Sequence, residues 1–131
     1  MIGRVLQQHT PEGGVAARWG GEEFIVFTPG SEDDAAHLAE TIRAAVAATP
    51  WNDLRVTVSI GVSGWEADEA MQHAFLRADD AMYAAKAAGR NRVMQAGPHQ
   101  RTTGTAGPAR PPHGEITGPE HAAAHERRHG E

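Results

Sequence analysis

The chain has 131 residues, a formal net charge of −5, hydrophobic residues at 40% and no cysteine. That length suits one domain, and the lack of cysteine excludes disulfides, thiolate metal ligands and a nucleophilic thiol, as befits a reducing, cytoplasmic setting. There is no membrane segment approaching the ~18 apolar residues of a span, no apolar signal core at the N-terminus, and no basic stripe of the kind that reads a phosphate backbone, so nucleic acid is not an expected partner.

Residues 2–8 have the spacing of the end of a helix. Val15–Trp19 and Glu23–Thr28 read as strands joined at Gly20-Gly21, a tight hairpin signal because both glycines tolerate positive φ. Phe24, Ile25, Val26 and Phe27 are all apolar, which predicts a strand buried on both faces. Ser31 is then a helix N-cap, followed by Glu32, Asp33 and Asp34, acids that suit the positive end of a helix dipole. Leu38, Ile42, Ala45 and Val46 share one face of that helix, and Pro50 stops it. Arg55–Ser63 alternates, with Val56, Val58, Ile60 and Val62 on one side, and predicts a strand with one apolar face. A second long helix is expected over Glu69–Ala88, with Met71, Ala74, Phe75, Ala78, Met82 and Ala85 as its stripe and Gly89 as a left-handed C-terminal residue. Arg92–Gln95 predicts a short last strand. The order helix, β, β, α, β, α, β implies an α/β (α+β) sandwich with a largely antiparallel sheet.

Composition changes at Gly97. From there to Glu131 the chain has six Gly, five Pro and five His in 35 residues, with Ile116 its only large aliphatic side chain. Such a segment has too little apolar surface to offset its ordering entropy, so residues 97–131 are expected to be a disordered tail and residues 1–96 the folded domain. The tail carries four Arg and four Glu, so the whole net charge of −5 sits in residues 1–96. His121, His125 and His129 would share a face on a helix and could then bind a transition metal; a low-complexity end without fixed structure is the stronger reading.

Arg18-Trp19-Gly20-Gly21-Glu22-Glu23-Phe24 resembles the signature hairpin of GGDEF-type diguanylate cyclase domains, in its GGEEF form. Thr57–Val62 resembles the family's strand after the middle helix. Ala78-Asp79-Asp80-Ala81-Met82-Tyr83-Ala84-Ala85-Lys86-Ala87-Ala88-Gly89-Arg90-Asn91-Arg92-Val93 resembles its closing helix and turn. The three motifs occur in the family's order. Taken singly, each has a plain alternative: a turn at Gly20-Gly21, solvated charges at Glu22 and Glu23, a dipole contact at Lys86.

The resemblance implies a nucleotidyl-cyclase, ferredoxin-like palm. It implies an enzyme that condenses two GTP into cyclic di-GMP and pyrophosphate, with each subunit of a homodimer presenting one GTP and with two Mg²⁺ ions assisting. On that reading Glu22 and Glu23 are the catalytic and metal-binding acids. Gly20 and Gly21 let the substrate approach the backbone, and Lys86 and Arg90 contact its terminal phosphates. The family's first strand, with its Asp metal ligand, and its guanine-reading Asn and Asp have no counterpart in the residues before Val15. The partial domain, lacking that N-terminal strand, is therefore expected to expose an apolar edge of the hairpin strand and to be inactive and prone to associate on its own. The family's product-inhibition motif is also absent: Pro11 and Gly14 stand at its positions. An upstream sensor domain, usual in the family, is not found in the chain. A non-catalytic regulatory remnant that binds a nucleotide or a partner protein is the alternative.

Overall fold

Ile2, Val5 and Leu6 recur at helical spacing and are buried on one face of α1 (Ile2–His9), in a computed structural model that describes residues 2–97 and the backbone of residues 124–129. Thr10 closes the helix with its amide and hydroxyl on the Leu6 carbonyl, at 2.8 and 2.6 Å. β1 (Val15–Arg18) and β2 (Glu23–Phe27) follow as an antiparallel hairpin with Val15 opposite Phe27 and Arg18 opposite Phe24.

α2 (Glu32–Ala48) starts where the sequence puts it. Ser31 accepts from the Asp34 amide at 3.1 Å, and the Asp34 carboxylate accepts from the Ser31 amide at 3.0 Å, a reciprocal capping box. Ala35, Ala39, Ile42 and Val46 form its buried stripe, with Leu38 and Ala45 packed beside them. β3 (Thr57–Val62) precedes α3 (Met71–Ala87), and β4 (Val93–Gln95) returns parallel to β3.

The sheet order is β1-β2-β5-β3-β4, where β5 is Ala124–His129. β5 runs antiparallel to both neighbours: Glu23–Val26 of β2 face Arg127–Ala124, and Thr57–Val62 of β3 face His129–Ala124. This corrects two expectations. The disorder expected over residues 97–131 does not hold for residues 124–129, and the β2 edge expected to be bare is paired. The reason is backbone chemistry: β2 and β3 each present a row of N–H and C=O groups, and an extended segment satisfies both rows whatever its side chains. Residues 98–123, including His121, lie outside the described residues. His125 and His129 stand on a strand, not a helix.

Helices cover both faces. Val26, Val56, Val58, Ile60 and Val62 pack with α1 and α2 in the main core. Ile25, Phe27 and Trp19 pack with Phe75 and Leu76 of α3 on the other side. So β2 is buried on both faces, as its run of apolar residues predicts. β3 is too, against the expectation of a single apolar face: Ser59 is fully buried, and Gly61 lies directly under α3, where a Cβ would strike the Ala78 carbonyl oxygen and the Met82 amide nitrogen. α3 begins at Met71 rather than Glu69, because Glu69 is taken by Arg77. Their ion pair, 2.7 Å long, has a fully buried carboxylate. Gly89 has φ +126, the positive value expected of it.

Candidate functional site

The hairpin tip is built differently from a two-residue turn. Trp19 and Gly20 both donate to the Glu23 carbonyl, at 2.7 and 3.4 Å, and the Arg18 guanidinium donates to the Gly21 carbonyl at 2.6 Å. Arg18 also lies 5.9 Å from the Phe24 ring centroid, and Trp19 is anchored against Phe75 at 6.0 Å between ring centroids. Neither Gly20 nor Gly21 adopts a positive φ, contrary to the tight-turn expectation. A Cβ at either position would meet nothing within 4 Å. Neither φ nor internal packing demands glycine here. What the two glycines leave is an open stretch of backbone that a ligand can approach.

Beside it is a cleft of about 490 Å³ between α1 and the hairpin, within the ~300–1,000 Å³ range of small-molecule sites. Leu6 and Gln7 line one wall; Arg18, Gly21, Glu22 and Phe24 line the other. Glu22 is exposed and Glu23 is half-buried. By strand alternation Glu23 shares the face of Ile25 and Phe27, which α3 covers. The two acids thus serve different sides of the hairpin: Glu22 the cleft, Glu23 the α3 side.

Lys86 and Arg90 do not line this cleft. Lys86 is half-buried in the last turn of α3, and Arg90 is exposed just beyond it. They lie at the same end of the sheet as the hairpin tip. Glu23 and Ser59 both stand opposite Arg127 of β5, which puts their backbones two strand spacings apart, roughly 10 Å. The Ser59 hydroxyl in turn accepts from the Asn91 amide at 3.2 Å.

The segment after α3 holds a feature that the sequence alone does not reveal. Gly89, Arg90 and Asn91 have successive φ values of +126, +66 and +51. Left-handed backbone at a non-glycine residue costs ~1–2 kcal/mol and persists only where its surroundings impose it. Here the Gly89 amide donates to Lys86 and the Arg90 amide to Ala85, at 3.2 and 2.9 Å. The Arg43 guanidinium, bidentate on Glu40, also donates to the Asn91 Oδ1 at 2.8 Å. Arg43 holds the Glu40 carboxyl below the usual carboxylate range through those hydrogen bonds, and Glu40 holds Arg43 above its own. Asp34 is likewise lowered, first by the Ser31 amide and then by its hydroxyl.

Among the described residues no group of three or more His, Asp or Glu could hold a metal ion by itself. Glu22 and Glu23 supply carboxylate oxygens, the donor type that Mg²⁺ prefers. Mg²⁺ is commonly held by one or two carboxylates together with substrate phosphates, so Glu22 fits that ion as a partial site on the cleft side, while Glu23 stands on the other side of the hairpin. No helix among the described residues is long and apolar enough to cross a membrane.

Two helices on one face of the sheet, one on the other and an acid-bearing glycine hairpin at its end define an α+β palm of the nucleotidyl-cyclase type. The profile of the GGDEF family (diguanylate cyclase, GGDEF domain) matches residues 1–92. Diguanylate cyclase DgcM of Escherichia coli K12 is 46% identical over 97 residues, which is 72% of this chain and 24% of that protein. The response regulator PleD of Caulobacter vibrioides is 44% identical over 85 residues, 59% of this chain and 19% of PleD. The GGDEF domain of DgcB from Caulobacter crescentus, solved in complex with c-di-GMP, matches with a TM-score of 0.66 at 32% identity over 72% of this chain and 60% of that one. The active GGEEF domain of a diguanylate cyclase from Vibrio cholerae matches with a TM-score of 0.66 at 30% identity, over 75% of this chain and 65% of that one. The chain belongs to the GGDEF family. It spans about a quarter or less of the length of these two curated relatives.

Proposed function

We propose that residues 1–96 supply the GGEEF part of a GTP site in a diguanylate cyclase, acting in the cytoplasm as a homodimer and controlled by a sensor domain. The observation that carries this reading is the open backbone at Gly20-Gly21, glycine where the fold does not need it, beside the Glu22 carboxylate and a cleft of nucleotide size.

The chemistry assigns a role to each residue. The 3′-oxygen of one GTP bonds to the α-phosphorus of the other, the bond from that phosphorus to the bridging oxygen breaks, and pyrophosphate leaves; a second such exchange closes the ring. Catalysis of this kind rests on positioning and charge neutralisation. The Gly20 and Gly21 amides approach phosphate or ribose. Glu22 would hold Mg²⁺ at the cleft and take the hydroxyl proton, while Glu23, the second acid of the motif, stands on the α3 side of the hairpin. Mg²⁺, when bound, neutralises phosphate charge. Lys86 and Arg90 meet the terminal phosphates, and the imposed left-handed backbone around Arg90 is the kind of strain that clusters at ligand clamps.

One observation favours a second reading, binding without turnover: among the described residues no group of three or more His, Asp or Glu stands together to hold a metal ion. Two assays separate the readings. A fluorescent GTP analogue, titrated with Mg²⁺ present, should bind at least tenfold more weakly to Glu22→Ala than to the parent chain. Equal affinity would end both. Chromatography of the same chain incubated with GTP and Mg²⁺ then decides between them: cyclic di-GMP above the Glu22→Ala control establishes the enzyme, and tight binding without product establishes the remnant.

A further inference from the structure

Residues 1–96 carry eight cations and thirteen acids, and the chain path sorts them along the sheet. α2 runs from the end of β2 back to the start of β3, so its last turn lies at the hairpin end, as does that of α3: Arg43 of α2 and Ser59 of β3 both hold Asn91. Arg18 ends β1 at this end, and Lys86, Arg90 and Arg92 close α3. Arg4 stands beside Gly3 of the cleft wall, and Arg55 stands two residues before β3 begins. Against these seven cations the hairpin end holds four acids: Glu22, Glu23, Asp53 and Glu40, the last paired with Arg43. The opposite end holds Glu12, the three acids that open α2, and Glu66, Asp68 and Glu69 between β3 and α3, with Arg77 as its one cation. Asp79 and Asp80 lie midway along α3. The charge is +3 at the hairpin end, −2 in the middle and −6 at the far end, which together make the −5 of the chain.

Acids at helix starts and cations at helix ends complement helix dipoles, and that explains part of the pattern. The C-termini of α2 and α3 bring about half a negative charge each, so a surplus of about +2 still remains at the hairpin end. Arg4 and Arg55 belong to that surplus. Both are exposed; Arg55 reaches only the Ala47 carbonyl, at 3.4 Å, and neither is paired with a carboxylate among the described residues. We infer that Arg4 and Arg55 steer an anionic nucleotide to the hairpin end of the sheet, a role that rests on the GTP reading of the cleft and adds two residues outside it. The length of α2, 17 residues, puts ~25 Å between the two ends. The Debye length is ~10 Å at 0.1 M salt, so an arriving triphosphate feels the near surplus and is screened from the far acids. The sign of the salt effect follows. Net charge alone would let salt speed the capture of an anion by a chain of −5, whereas a local positive surplus makes salt slow it.

Stopped-flow mixing of the full chain with a fluorescent GTP analogue and Mg²⁺ tests this. Association with the parent should slow at least threefold between 0.05 and 0.5 M salt. The double variant R4E/R55E should associate at least fivefold more slowly than the parent at 0.05 M salt and within twofold of it at 0.5 M, with dissociation within twofold at both. E12R/E66R changes the net charge as much at the far end, and should associate within twofold of the parent at 0.05 M. Glu22→Ala keeps the two readings apart: it should associate within twofold of the parent and dissociate at least tenfold faster, so its failure ends the GTP reading while the salt slope still reports on steering. Association that quickens with salt, an R4E/R55E pair that associates like the parent at low salt or is slowed equally at both salts, or a far-end pair that shifts association as much as the near-end pair would each overturn the inference.

Discussion

A methyl group added at Gly61 would land on the backbone of α3, within the radius of the Ala78 carbonyl oxygen and the Met82 amide nitrogen and 3.0 Å from the Ala78 carbonyl carbon. Side chains can rotate away from such a clash, but the backbone of a helix in mid-run cannot. Gly61→Ala therefore forces the whole of α3 to rise off β3, opening the contacts of Ala78 and Met82, which are 0% and 2% exposed. Overpacking of a core costs ~1–3 kcal/mol, and a backbone obstacle puts this case at the upper end. For a domain of this size each kcal/mol moves Tm by ~4–8 °C, so a loss of 3 kcal/mol lowers Tm by roughly 12–24 °C. Urea and thermal unfolding followed by circular dichroism measure it. Gly3→Ala is the control: that position lies on α1 with nothing within 4 Å of a new Cβ, and helix propensity should raise stability by up to ~1 kcal/mol. If Gly61→Ala unfolds within ~0.5 kcal/mol of the parent, α3 does not sit on β3 as described.

Three further substitutions probe other parts of the fold. Arg77→Ala leaves the Glu69 carboxylate, whose side chain is 0% exposed, without its guanidinium, and frees the Gly64 carbonyl that Arg77 also serves at 2.8 Å. Breaking a buried pair on one side costs ~3–5 kcal/mol, and the urea midpoint should fall accordingly. Ser31→Ala removes the cap of α2 at a cost of about 1 kcal/mol. It should leave most of the domain's acid sensitivity in place, because the Ser31 amide, the larger cause of the Asp34 shift, remains. Because the folded Asp34 carboxyl is held below its ordinary value of 3.8, its contribution is complete above that value and is lost as pH falls through the lower folded one. Denaturation midpoints of parent and variant should fall together between pH 5 and 2, with the variant lower by the lost cap throughout. Gly21→Ala should leave stability within ~0.5 kcal/mol of the parent while weakening binding of the GTP analogue roughly tenfold, since only the open backbone beside Glu22 is changed. A matching loss of stability would make that glycine structural.

The parts of this fold that depend on neighbours in sequence were legible in it. The Ser31 capping box, the α2 stripe, the apolar run of β2 and the positive φ of Gly89 each follow from residues within a turn or two. What depended on distant partners was hidden. Glu69 reads as the first acid of a helix until Arg77, eight residues on, folds back over it. Gly61 reads as one small residue in an alternating strand until a helix lies on it. The left-handed run at Arg90 and Asn91 needs Arg43 and Ser59, which no local pattern links to it. β5 was concealed most thoroughly, because composition argues against order there and only the vacant edges of β2 and β3 argue for it. In the site, the sequence pointed to Glu22, Lys86 and Arg90 by resemblance. It did not reveal that Glu22 faces a cleft on the α1 side while Lys86 and Arg90, at the end of α3 and just past it, do not line that cleft.

The distance between those two groups is governed by β5. Arg127 stands opposite Glu23 on one side and Ser59 on the other, and Ser59 holds the Asn91 amide beside Arg90. A one-residue slip of β5 against β3 alone would carry the hairpin ~3.3 Å along the sheet relative to the end of α3, and a two-residue slip ~6.6 Å. On the proposed reading, phosphate contacts made from both sides would tolerate no such offset, since a displacement of 1 Å at a reacting centre can cost 10²-fold in rate. The strand in the central slot therefore sets the alignment of the Glu22 hairpin with Lys86 and Arg90.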